Sequence, residues 1–126
     1  MLDWGGWVKI KYANDKIEQQ CTSIKAAAKL FGGNKSLAVS LHSRINAIES
    51  AEIIKDIIFM PQFHFHNLHG DMEGLFAVDV KSRRDKWRII LCPLDEKEEE
   101  FTPCHIDEIS GIVKIVRIEE VSPHYE

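Results

Sequence analysis

The first clear pattern in the chain is a short alternation of hydrophobic and polar residues. Val8, Ile10 and Tyr12 alternate with lysines, and a period of two is typical of a half-buried strand. Two helices are predicted next, because apolar residues recur at steps of three and four. The first apolar stripe consists of Ile17, Cys21, Ile24, Ala28 and Phe31, and the second of Leu37, Leu41, Ile45 and Ile48.

Short polar segments predict where these helices begin and end. Asp15 stands three residues before Glu18, an N-terminal capping pattern that opens the first helix. Gly32-Gly33-Asn34 predicts its end, and the second helix is expected to run to about Ala51. Because the break is so short, the two helices are expected to fold back as an antiparallel hairpin.

Beyond residue 62 the pattern changes to strands. Four are expected, at about residues 63–68, 75–80, 87–92 and 112–121. Residues 87–92 are apolar except for Arg88, which indicates a central strand covered on both faces. The order β-α-α-β-β-β-β predicts an α+β fold, with an N-terminal strand and a helical hairpin packed on a mostly antiparallel sheet.

The size and composition of the chain exclude several classes of protein. A length of 126 residues suits one hydrophobic core, so a single domain spanning residues 1–126 is expected. No stretch approaches the roughly 18 apolar residues of a membrane helix, and the first residues do not resemble a signal peptide. Cys21, Cys92 and Cys104 form no CxxC pair, which favours a reducing cytoplasm. No membrane partner and no cofactor are predicted.

The formal net charge of −4 is unevenly distributed. Residues 1–60 carry +2 and residues 61–93 carry +1, whereas residues 94–126 carry −7. Most of the acidic residues of this last segment lie in the loop 95–108, so binding of a nucleic acid elsewhere on the surface is compatible with the total. The whole molecule has no strong attraction for phosphates.

Several segments carry a resemblance to a known family, in the right order and spacing. The most specific is His66-Asn67-Leu68-His69-Gly70-Asp71, followed by Gly74-Leu75-Phe76-Ala77-Val78. The others are Tyr12 with residues 17–21, the Ala/Lys-rich stretch 26–32, Leu41 with residues 44–51, the stretch 88–93 that begins with arginine and ends in proline, and residues 113–121. From Ile10 to its C-terminus the chain resembles the HigB-type killer proteins of the RelE/ParE toxin–antitoxin superfamily.

The resemblance implies a type II toxin that cuts messenger RNA on the ribosome. In this chemistry the ribose 2′-hydroxyl attacks the adjacent phosphate, which requires a base, positive charge at the phosphate and an acid for the leaving 5′-oxygen. By resemblance, His66 is the proton-transfer group, since imidazole titrates near neutral pH. Arg88 is the phosphate-contacting arginine. The implied partners are a helix-turn-helix antitoxin, the ribosome and mRNA, with operator DNA reached only through the antitoxin.

The C-terminus departs from the family pattern. The family typically closes with aspartate-tyrosine-histidine, whereas this chain reads Pro123-His124-Tyr125. The carboxylate is absent and the other two residues have exchanged places. His124 or Tyr125 is expected to be the second catalytic participant, because a tail can adjust by one residue; the alternative is a frayed tail.

Three other groups of residues have two interpretations each. His64, His66 and His69 are close in sequence, but no cysteine or carboxylate completes a zinc-ligand spacing, so a solvent-facing cluster is the alternative to catalysis by His66 and no metal is predicted. Arg88 could instead be the satisfied polar residue of a buried strand. The RNA-binding candidates Lys81, Arg83, Arg84 and Lys86 could equally form a solvated charge run.

Two classes of function are compatible with the sequence. The first is a ribosome-dependent endoribonuclease that a DNA-binding antitoxin holds inactive. The second is a toxin-fold protein without nuclease activity, which acts through protein partners or on another target such as DNA gyrase. The pairing of His66 with Arg88 favours the first class, whereas the low basic charge and the altered C-terminus favour the second.

Overall fold

A computed structural model describes residues 7–123 of the chain. Its elements are β1 (Lys9–Tyr12), α1 (Asp15–Thr22), α2 (Ile24–Leu30), α3 (Lys35–Ser50), α4 (Ile54–Ile58), β2 (His66–Asn67), β3 (Phe76–Asp79), β4 (Trp87–Leu94), α5 (Ile106–Ile109) and β5 (Ile115–Pro123). Two single 3₁₀ turns cover Pro61–Phe63 and Gly70–Met72. The expected α+β class is confirmed.

The five strands form one mixed sheet in the order β1-β5-β4-β3-β2. Among these five described strands only β1 and β5 pair in parallel, and the other neighbours are antiparallel. The prediction of a mostly antiparallel sheet with 87–92 as a central strand is confirmed. Ile89 and Ile90 are adjacent in β4 and both fully buried, because successive side chains point to opposite faces and both faces are covered.

One face of the sheet, here called the helix face, carries the main core. The apolar stripe of α3 is buried as predicted, and α2 packs against α3. The core joins this stripe to side chains from three strands: Val78, Ile89, Leu91, Val116 and Ile118. Such burial of apolar surface is the dominant stabilising contribution to the fold.

The prediction of one continuous helix between residues 15 and 31 is wrong. Ser23 adopts extended backbone angles (φ −124°, ψ 121°), and its hydroxyl accepts a hydrogen bond from the Ala26 amide at 3.2 Å. A serine that caps a helix in this way competes with helix continuation, so α1 ends and α2 begins there. Ile24 is consequently 44% exposed. The N-cap of α1 is Asn14, not Asp15.

The predicted strand at residues 63–68 is only partly correct. Pro61 opens a 3₁₀ turn in which Phe63 is buried, and His64 follows with left-handed backbone angles (φ 49°, ψ 49°). Proline favours such a start because its φ is fixed near the helical value. The paired strand is therefore reduced to His66–Asn67. Neither α4 nor α5 was predicted from the sequence.

The opposite face of the sheet, here called the second face, has a smaller cover. Leu68, Ala77 and Ile90 form a separate apolar cluster, against which Met72 and Leu75 from the β2–β3 connection pack. No helix packs a comparable core there within the described residues. Nor does any helix of residues 7–123 combine the length and apolar character needed to span a bilayer.

The acidic segment is tethered to the sheet by ion pairs. Glu98 contacts Lys9 and Lys11, each at 3.1 Å, and Glu100 contacts Arg117 at 2.7 Å. Because these pairs are exposed, water and salt screen them, and they stabilise the fold little. They place the negative charge of the loop beside β1 and β5.

Candidate functional site

Two rows of residues cross the second face and bring the predicted residues together. The first row is His66, Ala77, Ile90 and Glu120, and the second is Asp79, Arg88 and Ser122. Residues directly opposite each other in antiparallel strands share a face. His66 and Arg88 therefore lie on one face in adjoining rows, although they belong to β2 and β4 and the whole of β3 lies between them in the chain.

Asp79 lies at the centre of the group and is almost completely buried, with 1% exposure. Its Oδ1 lies 3.2 Å from Nε of Arg88 and 3.5 Å from Nδ1 of His64. Neither contact is aligned as a hydrogen bond, so both carboxylate oxygens lack a hydrogen-bond partner among the described residues. A buried carboxylate is costly unless cations or donors compensate it. Arg88 and His64 supply that compensation.

The rings of His64 and His66 are in tilted contact beside this carboxylate. Their ring centroids are 4.8 Å apart and the rings are tilted by 36°. Nδ1 of His66 lies 2.8 Å from the backbone carbonyl of His64. Because a carbonyl only accepts, Nδ1 must carry the proton, and the neutral ring then has its lone pair on Nε2. That Nε2 is buried and has no hydrogen-bond partner in the described chain.

Arg88 is buried to 8% exposure, and protein acceptors surround its guanidinium. Nη1 donates to the carbonyls of Asp85 (2.7 Å) and Trp87 (2.8 Å), and Nη2 donates to that of Arg83 (3.4 Å). This geometry favours the interpretation of Arg88 as the satisfied polar residue of a buried strand. Its role as the phosphate-contacting arginine stays a prediction, and that role requires the guanidinium to leave some of these acceptors.

The turn at residues 81–86 presents its cations to solvent beside this cluster. Lys81, Arg83, Arg84 and Lys86 are all exposed. Asp85, the one acidic residue of the turn, accepts from the amides of Ser82 (3.0 Å) and Trp87 (2.9 Å), which fixes the shape of the turn. Together with the bonds from Arg88, these contacts hold an exposed basic turn next to Asp79.

Arg44 connects the cluster to α3, a role that the sequence did not indicate. Its Nε donates to the Asp79 carbonyl (2.9 Å), and its Nη2 donates to the carbonyls of Gln62 and Lys81 (3.0 Å each). The guanidinium also lies 4.9 Å from the ring centroid of Phe63. Arg44 thus fixes the backbone on both sides of the cluster.

Asp79 was also missed as a functional candidate. The available signal was a carboxylate inside the apolar run 76–80, since buried acidic residues are rare unless they are paired. His69, by contrast, does not join the cluster, because it lies beyond β2 and is exposed.

A cavity of about 610 Å³ opens near the far ends of β3 and β4. Its lining includes His69, Glu73, Phe101, Cys104 and His105. Burial raises the pKa of the Cys104 thiol, which disfavours the thiolate that a nucleophile needs. Within residues 7–123, no three His, Cys, Asp or Glu side chains are grouped as a metal site.

The predicted tail residues His124 and Tyr125 lie outside the described residues. The last described residue, Pro123, pairs with Trp87, and Ser122 pairs with Arg88. The described part of β5 therefore ends beside the cluster.

Comparison with models of known protein families and with curated proteins finds no match for this chain. The resemblance to HigB-type toxins therefore stays a prediction.

Proposed function

We propose that this chain is the toxin of a type II toxin–antitoxin pair, a HigB-type member of the RelE/ParE superfamily that cuts mRNA on the ribosome. The motif resemblance supports the proposal. So does the order of an N-terminal strand, a pair of helices and an antiparallel meander. A cytoplasmic location and a helix-turn-helix antitoxin as partner are part of the same proposal.

The observation that carries the proposal is the cluster of His64, His66, Asp79 and Arg88. Buried polar atoms without hydrogen-bond partners are rare in folded proteins and call for an explanation, yet two imidazoles and one carboxylate contribute such atoms here. Imidazole nitrogens held beside a carboxylate suit proton transfer at neutral pH. Cleavage of RNA through its own 2′-hydroxyl needs such a group and needs no cofactor.

Positive charge for the phosphate is available from the exposed turn. Four cations and one carboxylate lie in residues 81–86, close to the buried cluster. In this arrangement Arg88 donates hydrogen bonds to backbone carbonyls in and beside the turn and thereby fixes its shape. The exposed cations of the turn can then contact the phosphate. Because the attraction is local and the net charge is −4, affinity for free RNA is expected to be weak and salt-sensitive. The ribosome would supply the missing positioning.

Induced expression of the chain tests the proposal in cells. The chain alone should stop bacterial growth, and co-expression of the antitoxin encoded beside it should restore growth. In a purified translation system, message on the ribosome should be cut and the same message without ribosomes should not. Unchanged growth with confirmed soluble expression, or equal cutting with and without ribosomes, would contradict the proposal.

A truncated chain tests the proposed role of His124 and Tyr125. A chain that ends at Ser122 lacks both residues, and one that ends at Pro123 also lacks them but keeps every described pair between β4 and β5. Both should cut message slowly if the tail supplies the second catalytic group. If the chain that ends at Pro123 cuts message at the full rate, neither His124 nor Tyr125 is the second catalytic group.

The non-nuclease alternative has one observation in its favour, the occupied guanidinium of Arg88. A chain of this kind would act on a protein target such as DNA gyrase. Inhibition of gyrase-catalysed supercoiling by the purified chain, together with intact message in arrested cells, would favour this alternative over the nuclease.

A further inference from the structure

His64 presents its two ring nitrogens to different surroundings. Nδ1 is buried and lies 3.5 Å from Oδ1 of Asp79, whereas the side chain as a whole is 35% exposed. The remainder of the ring therefore reaches solvent. His66 differs, since its Nδ1 is engaged with the His64 carbonyl and its Nε2 is buried.

This arrangement fixes which nitrogen of His64 can act as a base. A proton on Nδ1 is favoured by the neighbouring carboxylate, which leaves the lone pair of the neutral ring on Nε2. A carboxylate that orients an imidazole in this way selects the tautomer that accepts a proton from substrate.

We propose that His64 is the catalytic base of the site, that Asp79 orients it, and that His66 is a positioning residue. This inference rests on the proposed ribonuclease function and changes which imidazole meets the substrate. The substrate class is single-stranded RNA whose scissile phosphate lies between the exposed side of His64 and the basic turn at 81–86.

The proposed reaction balances as an internal transesterification. Nε2 of His64 takes the proton of the 2′-hydroxyl, the 2′-oxygen forms a bond to phosphorus, and the bond from phosphorus to the 5′-oxygen breaks. Water protonates the leaving 5′-oxygen, and the resulting hydroxide takes the proton from His64. The products are a 2′,3′-cyclic phosphate and a 5′-hydroxyl.

His66 has a defined task in this scheme. Its Nδ1–H donates to the carbonyl of His64, and its ring lies in tilted contact with the His64 ring. His64 has the left-handed φ of 49°, which costs a residue with a side chain roughly 1–2 kcal/mol. The bond from His66 holds that unfavourable conformation.

Replacement of His64 is the direct test, and the left-handed backbone decides the choice of variant. Asparagine tolerates this conformation better than alanine, so His64→Asn removes the imidazole with little effect on the turn. Ribosome-bound message should be cut about 10²–10⁴ times more slowly, through kcat rather than KM, whereas the thermal midpoint should fall only slightly, because Arg88 still compensates Asp79. The matched control is His42→Asn on α3, which should cut at the wild-type rate.

Imidazole added in solution separates a base from a positioning residue. His64→Gly leaves a gap and keeps the left-handed turn, so free imidazole should restore part of its cleavage rate. The same addition should not restore His66→Gly. Rescue of His66→Gly alone would overturn the inference and return the role of base to His66.

Asp79 is tested by its coupling to His64. Asp79→Asn should lower kcat, and the double variant His64→Asn/Asp79→Asn should be no slower than His64→Asn, because residues that act as a unit lose their effect together. If Asp79→Asn does not fold, the cleavage rates of the His64 variants decide whether His64 is the base. Wild-type cutting by His64→Asn overturns this inference alone, whereas no cutting by the wild-type chain overturns the nuclease proposal as well.

Discussion

The two faces of the sheet differ in whether polar side chains are buried among the apolar ones. The helix face is packed with apolar side chains from α1, α3 and three strands, and these are buried almost without exception. The second face has a small apolar cluster and, next to it, a buried carboxylate with two imidazoles and a guanidinium.

The difference indicates a division between stability and function. Burial of polar atoms without hydrogen-bond partners opposes folding, so the second face is a cost that the apolar helix face has to offset. Natural proteins usually keep such costs where a function requires them. Substitutions on the helix face should therefore change unfolding, and substitutions on the second face should change activity.

The largest effect is expected for His66→Ala. If His66 transfers the proton, as the family resemblance implies, its loss should lower message cleavage by about 10²–10⁴. As a positioning residue it should lower cleavage through the misplacement of His64, and growth arrest should be relieved in either case. The free energy of unfolding should change much less, because the side chain is half-exposed and the lost bond to a carbonyl contributes only about 1 kcal/mol. Cleavage rates and urea denaturation of the same preparation measure both. Arrest at wild-type strength would contradict the expectation.

Arg88→Ala should be an exception to this division between stability and function, because Arg88 lies on the second face but stabilises the fold. Its removal leaves Asp79 buried without its nearest cation and frees the carbonyls of Arg83 and Asp85 in the basic turn and of Trp87 beside it. Removing one partner of a buried ion pair typically costs about 3–5 kcal/mol. Denaturation with urea should show this loss, with Arg84→Ala as an exposed control. An unchanged midpoint combined with lost cleavage would instead support Arg88 as the phosphate-contacting group.

Leu41→Ala tests from the helix face whether stability can be lowered without a change in activity. Leu41 is fully buried in α3, and truncation of such a leucine costs about 2–5 kcal/mol because a cavity remains. The folded fraction should still cut message at the wild-type rate. A proportional loss of activity in fully folded protein would show that the two faces are not independent.

Two buried thiols, one from each region, should make stability fall at alkaline pH. Burial raises the pKa of Cys21 and of Cys92 to about 12, from an ordinary value of 9.0. The unfolded chain therefore releases these protons first, and stability is complete below about pH 9 and falls towards pH 12. Each thiol contributes a slope of about 1.4 kcal/mol per pH unit in that range. Denaturation series at pH 8–11 should show that the free energy of unfolding falls less steeply with pH in Cys21→Ala and in Cys92→Ala. An unaltered slope in the double variant would show that the thiols do not cause the fall.

Much of the fold could be predicted from local patterns. The stripe of α3, the central strand 87–92 and the order of elements depend on apolar periodicity, which burial enforces directly. The break at Ser23 and the 3₁₀ turn at Pro61 were missed, because each depends on one side chain or ring overriding a pattern that would otherwise continue.

The candidate site was less predictable than the fold. Resemblance indicated His66 and Arg88, and both lie in the cluster, but the sequence did not reveal that the Arg88 guanidinium is occupied. Asp79 and His64 acquire their roles only through pairing across strands and through one left-handed residue. Contacts of this kind depend on how neighbouring strands are aligned in the sheet. The local spacing of residues in the sequence does not determine that alignment.

The parallel pairing of β1 with β5 has a consequence for biosynthesis. Lys9 pairs with Ile115 and Tyr12 with Ile118, so the sheet joins residues from near opposite ends of the described chain. Contacts between such distant residues form late, after the loop between them has closed. A nascent chain whose β5 has not yet emerged from the ribosome lacks the strand whose Ser122 pairs with Arg88 of β4. The proposed site would therefore stay incomplete until β5 has joined the sheet.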